Sequence, residues 1–339
     1  MGRYEEAFDD FRRAVELFSN KGWVFISRAF TLRQLERHEE VLADFARAVE
    51  LSPDDAPAIA GRADAHRAIG HHEDALVDYT RVIELDPGDG RACAGRGDSH
   101  LSLERYQEAL ADFDRALAIE PDGEWALFLR ARTWSRLGRF ERALADWEHI
   151  LAVSPGNGWA IRRCADHRRV LGSHEEASAA YDRAVGLLPD SASTLAARGL
   201  THRLLARHDE ALADLTRSLA LDPDDPWAHY EMAVVKAALR HPDRDHHLRR
   251  VIDLLTSAEA AAQDVLEADT LLLAHCLMPD WQQADQRLAE FLEAAPAPGQ
   301  LRALIVNLRS LIPVTPSAEP RIEGFCAVLE ERLAAEPPP

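Results

Sequence analysis

Residues 90–123 read GRACAGRGDSHLSLERYQEALADFDRALAIEPDG, and this stretch decides the fold. Apolar and small residues recur at helical spacing in two runs. The first run carries Cys93, Gly97, His100 and Leu103. The second carries Tyr106, Ala109, Phe113, Ala116 and Ile119. A polar corner, Glu104 and Arg105, parts them. Pro121 closes the second run, because a residue without an N–H cannot continue a helix. The stretch is predicted to be a hairpin of two antiparallel helices.

Working outward, Pro53, Pro87, Pro121, Pro155, Pro189 and Pro223 each fall 34 residues after the last. RYEEAFDDFRRAVEL at 3–17 returns as RYQEALADFDRALAI at 105–119, three periods later. One hairpin cannot bury its apolar stripe alone, so an array at this period is predicted to stack into a solenoid. Small residues hold fixed places. The eighth place of successive units is Ala29, Ala63, Gly97, Ala131, Ala165, Gly199 and Ala233. The twentieth is Ala75, Ala109, Ala143, Ala177 and Ala211, with Val41 the one larger residue. Helices approach to roughly 8–9 Å only where side chains are small, so both sets are expected at the crossing inside each hairpin.

The units also act as an internal alignment of charge. Arg28, Arg62, Arg96, Arg130 and Arg198 hold the seventh place, and Asp44, Asp78, Asp112, Asp146 and Asp214 hold the twenty-third. In the unit 158–191 these become Cys164 and Ala180, so both charges vanish together. Losing one partner of a partly buried pair is costly and losing both can be neutral, which points to structural ion pairs between the helices of each hairpin.

RYQEALADFDRALAIEP, RFERALADWEHILAVSP and RHDEALADLTRSLALDP, each preceded by an RG or RA helix, resemble the tetratricopeptide repeat family over about residues 1–240. The resemblance implies an all-α, right-handed superhelix of antiparallel helix pairs. It also implies that the first helix of each pair lines a concave groove that binds peptides or partner helices. The expected organisation is a half repeat at 1–21, then units 22–55, 56–89, 90–123, 124–157, 158–191 and 192–225. Degenerate helices follow at 226–298, where RHPDRDHHLRR replaces the usual corner, and capping helices and a tail at 299–339. The EPPP end is expected to be disordered. Residues 2–17 read as the second helix of a unit whose first helix is missing. They serve as a cap, continue a longer protein, or are covered by another chain.

The 339 residues carry a net charge of −19, which disfavours nucleic acid and anionic membrane as partners. No 18-residue apolar run and no secretory h-region is present, and the four cysteines lie far apart. A reduced, cytoplasmic location is therefore expected. There is no phosphate loop, no dinucleotide fingerprint and no HExxH, so neither enzyme chemistry nor a cofactor is expected. His66, His100 and His202, at the eleventh place, read as half-buried scaffold residues. Residues 241–247, HPDRDHH, read as a charged turn rather than a metal site.

One region departs from the overall charge. Residues 124–172 hold nine arginines against five acids. The groove places that the resemblance implies would put Trp125, Phe128, Arg132 and Arg136, then Trp159, Arg162 and Arg169, on the binding face. Aromatic and arginine side chains make up most binding hot spots. The stretch either grips an acidic peptide or helix of a partner, or its arginines pair with acids on neighbouring units. The resemblance's carboxylate clamp would need asparagine at the ninth place, and none stands there. Two roles remain open: a non-catalytic scaffold in its own right, or the sensor segment of a larger bacterial signalling NTPase. The sequence names neither the partner nor the oligomeric state.

Overall fold

The computed structural model describes residues 2–256, 265–278 and 280–335. The expected disorder of 336–339 lies outside them. Among the described residues the secondary structure is helical, with no strand. The chain divides into two compact units, Met1–Thr133 and Trp134–Pro339.

The first unit holds α1 (Gly2–Leu17), α2 (Gly22–Gln34), α3 (His38–Leu51), α4 (Ala56–Ala68), α5 (His72–Leu85), α6 (Gly90–Ser102) and α7 (Tyr106–Ile119). It also holds most of α8 (Glu124–Arg136). The second unit takes the end of α8 and then α9 (Phe140–Val153), α10 (Gly158–Val170), α11 (His174–Leu187), α12 (Ala192–Leu204) and α13 (His208–Leu221). It continues through α14 (Pro226–Ala238), α15 (Arg244–Thr256), α16 (Val265–Leu277), α17 (Trp281–Glu293), α18 (Pro298–Arg309) and α19 (Glu319–Ala334).

The 34-residue period is written into both ends of the first helices. Asp55, Asp89, Asn157, Ser191 and Asp225 stand just before α4, α6, α10, α12 and α14. Each accepts a hydrogen bond from the backbone N–H three residues on, at 2.8–3.3 Å. That satisfies one of the orphan donors of the first turn. At the other end, residues 36, 70, 104, 138, 172, 206 and 240 all have positive φ. The residue after each bonds back five positions, as Arg105 N does to His100 O at 2.9 Å. This is the Schellman closure, which turns the chain sharply enough to start the next helix antiparallel. Glycine fills the left-handed position at 70, 138 and 172. Glu36, Glu104, Ala206 and Arg240 adopt it at a steric cost.

Packing follows from residue size. Every alanine of the eighth and twentieth places is fully buried. A Cβ built on Gly97 would meet the Phe113 ring at 2.6 Å, so this hairpin closes further than alanine would permit. The twenty-fourth place carries Phe45, Tyr79, Phe113, Trp147, Tyr181 and Leu215, all buried. Phe45 and Tyr79 reach into the next hairpin, where a Cβ on Gly61 or Gly95 would lie 2.1 or 2.5 Å away. Each such ring is worth about 1.5–3 kcal/mol of burial, and it ties one repeat to the next.

At the start of the first unit, α1 lies beside α2, with Phe8 and Val15 packed half-buried against the α2–α3 hairpin while Tyr4 and Leu17 are exposed. In the second unit, α14 to α19 share one apolar core. Leu248, Leu271, Leu272, Leu304, Leu308 and Cys326 are all fully buried in it.

Candidate partner-binding site

Four of the arginine–aspartate pairs form two-point bridges between the helices of a hairpin. The distances are 2.7 and 2.5 Å for Arg28–Asp44, and 2.7 Å twice for Arg62–Asp78. They are 2.8 and 2.6 Å for Arg96–Asp112, and 2.7 and 2.6 Å for Arg198–Asp214. The aspartates are buried and the arginines half-buried. The bond to aspartate is the largest influence on each guanidinium and raises its pKa against the opposing effect of burial. Burial pushes Asp214 up, but bonds from His202 and Arg198 outweigh it and hold its carboxyl below the ordinary range. Arg130 donates to Asp114 at 2.6 Å, and Asp146 is buried. Where the pair is missing, Cys164 and Ala180 are buried, and burial pushes the Cys164 thiol up to about 12.

The four bridged arginines hold an aspartate of their own hairpin, while Arg130 and Arg198 also reach Asp114 and Asp182 of the preceding one. What remains on the first helices is different. In the first unit Trp125 is 37% exposed, with the Arg67 guanidinium 5.5 Å from its ring centre. Arg67 is held by Asp98 at 2.9 Å and by the Tyr79 hydroxyl at 3.2 Å, and that hydroxyl donates to Asp64 at 2.6 Å. Burial, then Asp64, raises the Tyr79 pKa. Arg132 is exposed. Phe128 is half-buried against the hydrophobic cluster of Leu101, Ala109, Phe113 and Leu129, so part of its surface belongs to the scaffold.

In the second unit Arg136 is exposed, and Trp159 is 37% exposed. Trp159 meets Trp147 edge to face at 5.0 Å, and Arg163 stacks on it at 5.0 Å. Arg162 is half-buried, and its Nε has no hydrogen-bond partner. Arg169 is half-buried too, with its Nε unpartnered, and lies near Tyr181, whose hydroxyl donates to Asp166 at 2.5 Å.

Two residues here were not anticipated from sequence. Arg203 and Glu231 form a buried pair at 2.8 Å, with side chains 6% and 1% exposed. The internal alignment held the signal for Arg203, since Arg67, Arg169 and Arg203 all stand at the twelfth place. The last helices were expected only to close the end of the core. Besides packing there, α18 reaches back along the first helices. Ser310 Oγ lies 3.4 Å from Arg203, and the Gly299 backbone lies against the Ser135 and Arg136 carbonyls, where an added Cβ would sit 2.0 and 3.0 Å away.

Two clusters carry metal-like donors. His66, His71 and Asp74 bring one donor atom each within 4.8 Å of one another at the α4–α5 corner. Donors around one zinc lie about 3.3 Å apart, so these side chains would have to close up to share an ion. In the 241–247 turn, His247 is engaged by His229 at 2.9 Å and Lys236 at 3.0 Å.

The geometry defines a class, the α-solenoid of stacked helix hairpins. A family model described as tetratricopeptide repeat matches residues 60–124, 95–152 and 163–226, so these segments carry tetratricopeptide repeats. Among solved structures, the chain is similar to a tetratricopeptide repeat protein from Parabacteroides merdae, at 16% identity and TM-score 0.57. That match covers 75% of this chain and 98% of the other. It is also similar to a chain of the APC/C hetero-tetramer Cut9–Hcn1, at 15% identity and TM-score 0.55, over 80% of this chain and 52% of that one. At these identities the likeness is one of fold. No curated protein matches the sequence. No described helix is long and apolar enough to cross a membrane.

Proposed function

We propose that the chain is a non-catalytic protein-binding scaffold whose first helices grip a peptide or helix of an acidic partner. The observation that carries this is the company of exposed aromatics and arginines on those helices. Trp125 and Arg132 supply it in the first unit, and Trp159 and Arg136 in the second. Exposed tryptophan beside arginine is costly to leave in water and is the usual anchor of a protein interface. Arg162, half-buried on the same helix as Trp159, adds a further guanidinium to that face. Phe128 and Arg169 serve as walls, since each is engaged with the scaffold on one side.

The test is a paired capture. The native chain and a variant with Arg132, Arg136, Arg162 and Arg169 changed to Glu, checked for folding by circular dichroism, are used as baits in the source lysate. Capture by the native bait and loss with the variant is the expected result. Capture of the same protein by both baits would remove the arginines from the site.

A further inference from the structure

We propose that His66, His71 and Asp74, at the α4–α5 corner of the first unit, form a site for a divalent transition cation, with zinc the best match. The site goes beyond the partner-binding reading and does not rest on it. Each residue offers one donor atom, and the three atoms lie within 4.8 Å of one another. The two imidazole rings stand 5.9 Å apart, centre to centre. Among the described residues, none of the three side chains is held by a hydrogen bond or an ion pair, so their donors are not engaged elsewhere in the chain.

The repeat separates these donors from the habits of the scaffold. They stand at the eleventh, sixteenth and nineteenth places, and of the six units from 22 to 225 only 56–89 has a donor at all three. His100 and His202 share the eleventh place with His66, but each is followed by arginine at the sixteenth. That arginine makes an ion pair. Arg37 holds Glu40 at 2.6 and 2.7 Å, Arg105 holds Glu73 at 2.6 Å, and Arg207 holds Glu175 at 2.6 Å. His71 replaces the arginine and makes no such pair. The backbone sets the donors in place before any ion arrives. Gly70, at φ +81°, turns the corner. The His71 N–H donates to the His66 carbonyl at 2.9 Å, and the Ala75 N–H donates to the His71 carbonyl at 3.1 Å, which begins α5.

Two imidazole nitrogens and one carboxylate oxygen suit zinc, whereas calcium and magnesium take oxygen shells. Donors on one zinc lie about 3.3 Å apart, so the widest gap closes by no more than about 1.5 Å. His71 and Asp74 are exposed, and rotation about their side-chain bonds supplies that movement. Three protein donors leave the fourth tetrahedral position to water. The ion then clamps the last turn of α4 to the first turn of α5.

The test is zinc binding by the full chain, made metal-free with a chelator and titrated in competition with a chromophoric zinc ligand. One saturable zinc per chain is expected. His71→Arg, which restores the residue of the neighbouring hairpins, and Asp74→Asn should each weaken it by about tenfold or more, since even a supporting group costs a metal site that much. His247→Gln, at the other histidine cluster, should leave it unchanged. X-ray absorption at the zinc edge should show two imidazoles with oxygen and no sulfur. The absence of saturable binding, full affinity in both corner variants, loss of the zinc with His247→Gln, or sulfur in the shell would each overturn the proposal. If His71→Arg does not fold, the exposed Asp74→Asn change decides alone.

Discussion

Ala109 sets how closely α6 and α7 approach, and its complete burial leaves no room for a longer side chain. Ala109→Leu is predicted to cost about 1–3 kcal/mol through overpacking, read as a drop in the denaturant midpoint. The left-handed corners give the opposite sign. Glu104 has φ 58°, and Glu104→Gly should stabilise by up to about 1 kcal/mol, because the relief of strain exceeds the added freedom of the unfolded chain. A lower midpoint in that variant would show that Glu104 contributes more than its backbone. The ion pairs make a third prediction at this scale. Asp112 is buried beneath Arg96, so Arg96→Ala should cost about 2–3 kcal/mol, and adding Asp112→Ala should return most of it. The unit 158–191 has made that double change already, with Cys164 and Ala180. A double-mutant cycle showing simple additivity would contradict the pairing.

Helices and hairpins were legible in the sequence because each carries its signal several times over. The small residues of the eighth and twentieth places are fixed by helix spacing, so seven copies gave the answer that one would not. The capping residues at 55, 89, 157, 191 and 225 were equally periodic and were open to the same reading. The path of α18 was not legible. An apolar stripe such as Leu301–Leu304–Ile305–Leu308 states that a face is buried, but not against what. Only tertiary packing brings its two ends to Ser135 and Arg203. The α14–α15 hairpin is likewise outside the pattern, since α15 begins two residues later than its predecessors' spacing. A chain of bonds holds it: His229 Nε2 to the Pro223 carbonyl at 2.9 Å, His247 to His229 at 2.9 Å, and Lys236 to His247 at 3.0 Å. Burial, then Lys236, then His229 and His246 push His247 down to about 4 against the pull of Asp243. A histidine lowered on folding stabilises the neutral form, so its contribution is complete above pH 6.5 and is lost as pH falls towards about 4. The protection factors of the α15 amides, corrected for intrinsic exchange at each pH, should fall across that window, and His247→Gln should flatten the change. Protection that falls equally in the variant would assign the pH dependence elsewhere.

Across the whole molecule, charge and the local face pull in different directions. The chain carries −19 overall, yet residues 124–172 hold nine arginines and five acids. That local excess was visible in the sequence. Which arginines are engaged was not, because it depends on neighbours brought together by folding. Arg163 meets Asp166 at 3.3 Å and Arg168 meets Glu148 at 2.7 Å, while Arg132 and Arg136 stay exposed. Binding anchored by aromatics as well as charge should weaken only modestly between 50 and 200 mM salt, whereas a nucleic acid would lose about three to five decades with six to ten phosphate contacts. The central claim, that the partner sits on the first helices, is tested most directly by site-specific photocrosslinking in the native lysate. One chain carries a photoreactive residue at Trp125, on a first helix, and another at Val77, which is 70% exposed on the second helix α5. A discrete crosslinked protein from position 125 and none from position 77 is the predicted result. The same protein crosslinked from position 77 and not from position 125 would place the partner on the second helices and contradict the account.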